Sequence, residues 1–128
     1  MTRLKCIIVD DEPLAQEVIE KYLENIRELE LVTKCSNALE AFEVLNHEAI
    51  DLMFLDISMP VISGIELVQS LQQHNDTKHI PVIVMGGPHE RNLKRMALDA
   101  GASDLLSKPI EMAELLARIR GFQRLKEF

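Results

Sequence analysis

Short apolar runs alternate with segments of helical periodicity along the whole chain, and this alternation limits the fold more than any other feature. Five runs rich in Val, Ile and Leu predict buried strands, at residues 4–9, 29–35, 50–55, 80–85 and 102–106. After each run, apolar residues recur every three or four positions, as on one face of a helix. Five consecutive strand–helix units predict an α/β domain over residues 1–128, with a parallel sheet covered by helices on both faces.

Several residues predict where the helices begin and end. Pro13 opens the first helix, because the N–H that proline lacks has no partner in a first turn. Ser36 or Asn37 is expected to cap the second helix and Ser63 the third. Gly101 suits the left-handed position that ends the fourth helix. The inward positions are predicted to include, in the first helix, Leu14, Val18, Ile19, Leu23 and Ile26, and in the fourth, Leu93, Met96, Ala97 and Leu98.

Composition excludes several classes of function. The chain is 47% hydrophobic and 27% charged, as in ordinary globular domains, and its net charge is −7. An acidic domain of this kind is not expected to bind nucleic acid directly. Its apolar runs are far shorter than the roughly 18 residues of a membrane span, and the N-terminus lacks a signal-peptide pattern. The sequence therefore predicts a cytoplasmic protein that does not enter a membrane, with Cys6 and Cys35 as buried, reduced thiols.

Four charged residues follow three of the predicted strands. Asp10 and Asp11 come after the first strand, Asp56 after the third and Lys108 after the fifth. Parallel strands bring their carboxyl ends to one edge of the sheet, where such folds bind ligands. Crowded carboxylates repel one another unless a cation lies among them, and Mg²⁺ prefers oxygen ligands. With a lysine nearby, this arrangement predicts a site that handles a phosphoryl group.

These residues, in this order, resemble the receiver domains of two-component response regulators over the whole chain. Supporting matches are Met59–Pro60, Gly64, Pro81 and residues 100–102. The resemblance implies a doubly wound, flavodoxin-like (βα)5 fold with strand order 2-1-3-4-5. The opening CIIVDDEPLA also resembles, faintly, receivers joined to LytTR-type DNA-binding domains. Residues 123–128 are then either the end of the last helix or the start of a linker to an output domain.

The resemblance also implies a role for each site residue. Asp56 is the expected phosphoryl acceptor, and Lys108 is expected to contact a phosphoryl oxygen as a point charge. Asp11 and Asp56 are expected to bind Mg²⁺, with Asp10 acting directly or through a water and Ser58 supplying its backbone carbonyl. Mn²⁺ is expected to be tolerated. The small side chain of Ser58 leaves room for water, which predicts an ordinary phosphoryl lifetime.

Two positions depart from the family pattern. Gly86 stands where relatives carry Ser or Thr, and Leu105 stands where they carry Tyr or Phe. A hydrogen bond to a charged group contributes about 1.5–3 kcal/mol, which is similar to the usual allosteric coupling of about 1–3 kcal/mol. The phosphorylation chemistry is expected to remain while the switch is modified. The N–H groups of Gly86 and Gly87 are candidates to meet the phosphoryl group instead.

The resemblance implies a regulatory domain that assists its own phosphorylation and dephosphorylation, with binding as its output. The expected partner is a sensor histidine kinase or a histidine phosphotransfer protein, with Leu14, Pro109 and Ile110 as candidate contacts. A homodimer and an output domain outside the chain stay open. The main alternative is a pseudo-receiver that acts as a constitutive interaction module. Two other classes are less consistent with the sequence. A phosphatase with an aspartyl-phosphate intermediate usually carries an acid–base Asp at the position of Ser58. In a flavin-binding electron carrier, acidic residues after the first strand would repel the flavin phosphate.

Overall fold

The computed structural model describes residues 3–59 and 62–126, and within them strands and helices alternate as the sequence predicts. The strands are β1 (Leu4–Val9), β2 (Leu29–Cys35), β3 (Leu52–Asp56), β4 (Val82–Gly86) and β5 (Asp104–Ser107). The helices are α1 (Pro13–Glu24), α2 (Ala38–His47), α3 (Gly64–Gln72), α4 (Arg91–Ala100) and α5 (Met112–Lys126), and a short 3-10 turn, Pro88–Glu90, precedes α4. The helix α5 thus includes residues 123–126 of the predicted tail, while residues 127 and 128 and Pro60 lie outside the described residues.

The sheet is fully parallel, with strand order β2-β1-β3-β4-β5. This is the flavodoxin-like order, so the predicted fold class is confirmed. In the register of the sheet, Val9 lies beside Leu55, Asp56 beside Met85 and Gly86 beside Ser107. These pairs bring the carboxyl ends of β1, β3, β4 and β5 together along one side of the sheet.

Helices cover both faces of the sheet and form two core layers. On one face, Ile19 of α1 and Leu115 of α5 pack with Phe54 of β3. On the other face, Ala41 of α2 and Leu67 of α3 belong to the layer that surrounds Leu55 and Ala97. Because β1, β3 and β4 are buried on both faces, their sequences are nearly continuous apolar runs, as expected for the middle of a parallel sheet.

The predicted helix ends are found in the structure. Pro13 is the first residue of α1, and the Asn37 side chain, rather than that of Ser36, accepts the Glu40 N–H at 2.9 Å. Ser63 caps α3 in a reciprocal arrangement with Glu66. Gly101 has a φ of 123°, which only glycine adopts readily, and it ends α4.

The predicted inward positions of two helices were partly wrong. In α1, Leu14 is 75% exposed and Val18 is 43% exposed. The inward position is taken by Gln16, whose amide donates to the backbone carbonyls of Asp10 at 2.6 Å and Cys35 at 3.1 Å. A periodic pattern of apolar residues cannot reveal such a buried amide, because the demand for it comes from backbone groups on other elements.

The helix α4 departs further from the prediction, since it buries one apolar side chain, that of Ala97, among its residues. Leu93, Met96 and Leu98 are 37%, 52% and 42% exposed. The small Ala97 side chain lets the helix lie close to its neighbours, so the longer side chains on either side of it remain at the surface.

Cys6 and Cys35 are buried, free thiols, as predicted. Burial raises the pKa of Cys6 to about 12 and the pKa of Cys35 to about 11, which keeps both thiols protonated and unreactive at neutral pH. Among the helices described, none combines the length and the apolar character that crossing a membrane requires.

Candidate functional site

Three carboxylates meet at the carboxyl ends of β1 and β3. Asp10 directly follows β1, its N–H donates to the carbonyl of Cys35 at 2.9 Å, and its side chain is fully buried. Asp56 is the last residue of β3 and is 2% exposed, whereas Asp11 lies at the surface. One carboxylate oxygen from each of the three residues lies within 4.8 Å of the others. The structure therefore brings together the acidic residues that the sequence predicts to form a site.

Lys108 lies between the two buried carboxylates. Its Nζ is 3.1 Å from Asp10 Oδ2 and 3.2 Å from Asp56 Oδ1, and its backbone N–H donates to the carbonyl of Gly86 at 2.8 Å. Burial lowers the pKa of Lys108, but the attraction of Asp56 and Asp10 and the hydrogen bonds to them outweigh it, so that its pKa is raised. Lys108 is therefore a fixed positive charge at the site.

The surroundings of Asp56 disfavour the ionised form of its carboxyl group. Burial, followed by the negative charge of Asp10, raises the pKa of Asp56 to about 7, although Lys108 and the N–H of Ser58 act in the opposite direction. One lysine thus does not neutralise the buried carboxylates. The oxygen-rich cluster, exposed to solvent on the side of Asp11, fits a hard divalent cation that retains several waters.

Gly64 forms a close contact with the backbone that carries Asp56. Its N–H donates to the carbonyl of Ile57 at 3.1 Å. A Cβ at this position would lie 2.7 Å from the carbonyl oxygen of Asp56 and 2.8 Å from Cα of Ile57. Only glycine lets the first turn of α3 approach the end of β3 this closely.

Glu90 is a site residue that the sequence reasoning missed. The hydroxyl of Ser58 donates to Glu90 Oε2, and the N–H of Gly87 donates to Glu90 Oε1 at 2.8 Å. Burial tends to raise the pKa of Glu90, but these two hydrogen bonds and the charges of Lys108 and Lys94 together hold it below its usual value. In a capping box, the glutamate three residues after the N-cap accepts the N-cap backbone N–H. Gly87 and Glu90 have this spacing, which is the sequence signal that could have identified the contact.

The two positions that depart from the family pattern lie beside the site. Gly86 is buried at the end of β4, and a Cβ there would lie 3.1 Å from Ile57 Cγ2 and 3.3 Å from the aliphatic part of Lys94. The Nζ of Lys94 reaches to 3.5 Å from the hydroxyl of Ser107. Leu105 is half-buried against the core layer on the side of α3 and α4. The side chain of Lys94 thus covers the position where a Ser or Thr side chain would start.

Comparison with known proteins identifies the class. The profile of the response regulator receiver domain matches residues 6–120, so the chain belongs to this family of regulatory domains from bacterial two-component systems. Over 120 residues it is 41% identical to the transcriptional regulatory protein BtsR of Escherichia coli, covering 91% of this chain and 48% of BtsR. The chain therefore spans about half the length of the curated relatives it matches.

Solved structures agree with this assignment. A putative response regulator from Chloroflexus aurantiacus superposes with a TM-score of 0.87 at 28% identity, covering 94% of this chain and 97% of that one. The receiver domain of a sensor histidine kinase from Pseudomonas aeruginosa, solved with a magnesium ion in its active-site cleft, has a TM-score of 0.81 at 22% identity, with coverages of 93% and 96%. At that identity, the second comparison shows the shared fold alone.

Proposed function

We propose that this receiver domain accepts a single phosphoryl group on Asp56 from a phosphohistidine of a sensor kinase or phosphotransfer protein. The observation that supports this most strongly is the environment of Asp56. Its carboxylate is buried at a strand end, lies 3.2 Å from Lys108 and belongs to a cluster of three carboxylates within 4.8 Å. Buried carboxylates arranged in this way destabilise a fold, and phosphoryl transfer gives a reason for their presence.

The proposed transfer uses the residues as follows. A carboxylate oxygen of Asp56 attacks phosphorus and forms an O–P bond. The N–P bond to the partner's histidine breaks, and its electron pair remains with the imidazole. Lys108, already held between Asp10 and Asp56, contacts a phosphoryl oxygen and stabilises its charge. Because Lys108 is in place before the reaction, little reorganisation is needed.

Mg²⁺ is the proposed cofactor, held by Asp11 and Asp56, by Asp10 directly or through a water, and by the backbone carbonyl of Ser58. When bound, the ion neutralises the carboxylates and the charge of the phosphoryl oxygens. The magnesium ion in the Pseudomonas aeruginosa receiver domain supports this choice. Mn²⁺, which accepts similar oxygen ligands, is expected to substitute for it.

Mg²⁺ is expected to stabilise the protein more at pH 8 than at pH 5. Because the pKa of Asp56 is raised from 3.8 to about 7 on folding, its contribution to the free energy of unfolding is full below pH 3.8 and is lost as pH rises through 7. At pH 8 the buried charge is only partly compensated by Lys108, and Mg²⁺ at ten times its Kd then adds about 1.4 kcal/mol. At pH 5 the ion must first displace a proton. Thermal denaturation with Mg²⁺ and with EDTA at both pH values measures this, and equal shifts in Tm would contradict it.

We further propose that switching in this chain departs from the usual route, because Gly86 lacks a hydroxyl and Leu105 is not aromatic. The side chain of Lys94 already lies against Gly86, in the space that a Ser or Thr would need. The alternative, a pseudo-receiver with no phosphorylation, is disfavoured by the intact cluster of Asp10, Asp56 and Lys108. A site without function has no reason to keep carboxylates whose burial costs stability.

Partner binding is proposed at the surface next to the site. Leu14 of α1 is 75% exposed and Pro109 is exposed, so both are available to a kinase or phosphotransfer protein. Ile110, a third candidate from the sequence, is only 8% exposed, and Tyr22 donates to its carbonyl at 3.0 Å. Ile110 therefore lies outside the proposed contact surface.

We also propose a cytoplasmic location, homodimer formation and an output domain outside these 128 residues, the last supported by the length of BtsR.

Intact-mass spectrometry tests the proposed function. After incubation with acetyl phosphate and Mg²⁺, the protein is expected to gain the mass of one phosphoryl group, and the gain is expected to disappear when EDTA replaces Mg²⁺. If no mass is gained and beryllofluoride, a mimic of the phosphoryl group, also fails to bind, the pseudo-receiver is the better description. If beryllofluoride binds, the site is competent and the donor is unsuitable.

A further inference from the structure

An anion of the protein itself is already bound beside the phosphorylation site. Glu90 accepts the hydroxyl of Ser58 with one carboxylate oxygen and the N–H of Gly87 with the other. The N–H of Ser58 points to Asp56 Oδ1 at 3.4 Å, so a single residue connects the proposed acceptor to Glu90. The Gly87 N–H, a candidate donor to the phosphoryl group, is therefore occupied in this structure.

The surrounding charges show why a carboxylate stays there. The positive charges of Lys108 and Lys94 both attract Glu90. Lys108 also binds Asp10 and Asp56. A phosphoryl group on Asp56 would carry up to two negative charges and three acceptor oxygens next to the same lysine. It would repel Glu90, would weaken the attraction of Lys108 for it, and would compete with it for the donors on Ser58 and Gly87.

We propose that Glu90 is an internal anion that the phosphoryl group on Asp56 must displace, and that its release is the signal passed to α4. This inference rests on the proposed function and specifies its regulation. Glu90 is the residue immediately before α4, and Lys94 follows one turn later, packed over Gly86. Loss of the contacts to Ser58 and Gly87 therefore frees the first turn of α4 directly. A hydroxyl at position 86 is not needed for this route.

Beryllofluoride binding in the presence of Mg²⁺ tests the competition. Glu90→Gln removes the charge and keeps the shape, and Glu90→Ala removes the contact. Both variants are expected to bind beryllofluoride more tightly than the wild type, on the order of tenfold, which is within the usual range of allosteric coupling. The matched control is Asp99→Asn, which removes the same charge at the exposed far end of α4 and is expected to leave the Kd unchanged. Isothermal titration measures all four affinities.

Amide NMR provides a readout independent of affinity. In ligand-free Glu90→Ala, the resonances of Gly87, Arg91 and Lys94 are expected to move toward their positions in the beryllofluoride-bound wild type, while those of Asp99→Asn stay in place. If the wild type binds beryllofluoride and both Glu90 variants match its Kd and its Gly87 resonance, the inference fails and the proposed function stands. If the wild type neither binds beryllofluoride nor gains mass from acetyl phosphate, both fail.

Discussion

Asp56→Asn is expected to abolish phosphorylation by acetyl phosphate, lowering its rate by at least about 1000-fold, as expected when a covalent nucleophile is lost. An amide oxygen is a far weaker nucleophile than a carboxylate, and the substitution also removes a proposed Mg²⁺ ligand. The substitution is not expected to lower the stability of the fold. Ionised Asp56 is a buried charge above pH 7, so its neutral isostere should make the metal-free protein more stable at pH 8.

The matched control is Asp76→Asn, an exposed aspartate in the loop before β4, at the opposite end of the sheet. It removes the same charge and is expected to be phosphorylated at the wild-type rate. Intact mass against time measures both variants, and the Tm of each shows whether the fold is retained. A normal mass gain in Asp56→Asn would locate the phosphoryl group on another residue and would contradict the proposed acceptor.

Gly64→Ala is expected to destabilise the protein by about 3 kcal/mol, the upper range for overpacking in a rigid environment. The added Cβ would lie 2.7 Å from the carbonyl oxygen of Asp56 and 2.8 Å from Cα of Ile57. Both are backbone atoms of buried residues, one at the end of β3 and one directly after it, so neither can move aside as a flexible side chain would. Relieving this overlap requires α3 to shift away from β3, and that shift would move Asp56.

Gly121→Ala is the matched control, because a Cβ at position 121 of α5 would meet, apart from the adjacent residues and the backbone of its own helix, no described atom within 4 Å. There, the same substitution is expected to raise stability by about 0.5–1 kcal/mol, since alanine loses less entropy in a helix than glycine. Urea denaturation measures both changes. A Gly64→Ala protein as stable as the wild type would show that α3 and β3 are not held as closely as the structure indicates.

The fold and the acidic cluster were predictable because both depend on local patterns. Continuous apolar runs identified the buried parallel strands, and parallel strands necessarily bring their carboxyl ends to one edge. Asp10, Asp56 and Lys108 were therefore expected at that edge once each was placed after its strand. That β1 lies beside β3 follows from the strand order that the family resemblance implied. Helix ends were predicted for the same reason, since Asn37 and Ser63 act through residues three positions away.

Features that depend on contacts between distant segments were not predictable. The inward position of Gln16 is decided by carbonyl groups of β2 and of the loop after β1, neither of which changes the periodicity of α1. Glu90 acquires its place from Ser58, which is 32 positions earlier in the chain. The exposure of Met96 follows from how closely Ala97 approaches its neighbours, and composition does not encode that distance.

The Gln16 amide has a consequence for how relatives of this domain can diversify. It attaches α1 to the carboxyl ends of β1 and β2 through two hydrogen bonds to backbone carbonyl groups, one of them that of Asp10. The opposite side of the same helix, with Leu14 and Val18, contributes nothing to that attachment and is exposed. Residues on this outer side are therefore free to change during evolution without disturbing the carboxylates, so the partner surface proposed there can diversify independently of the site.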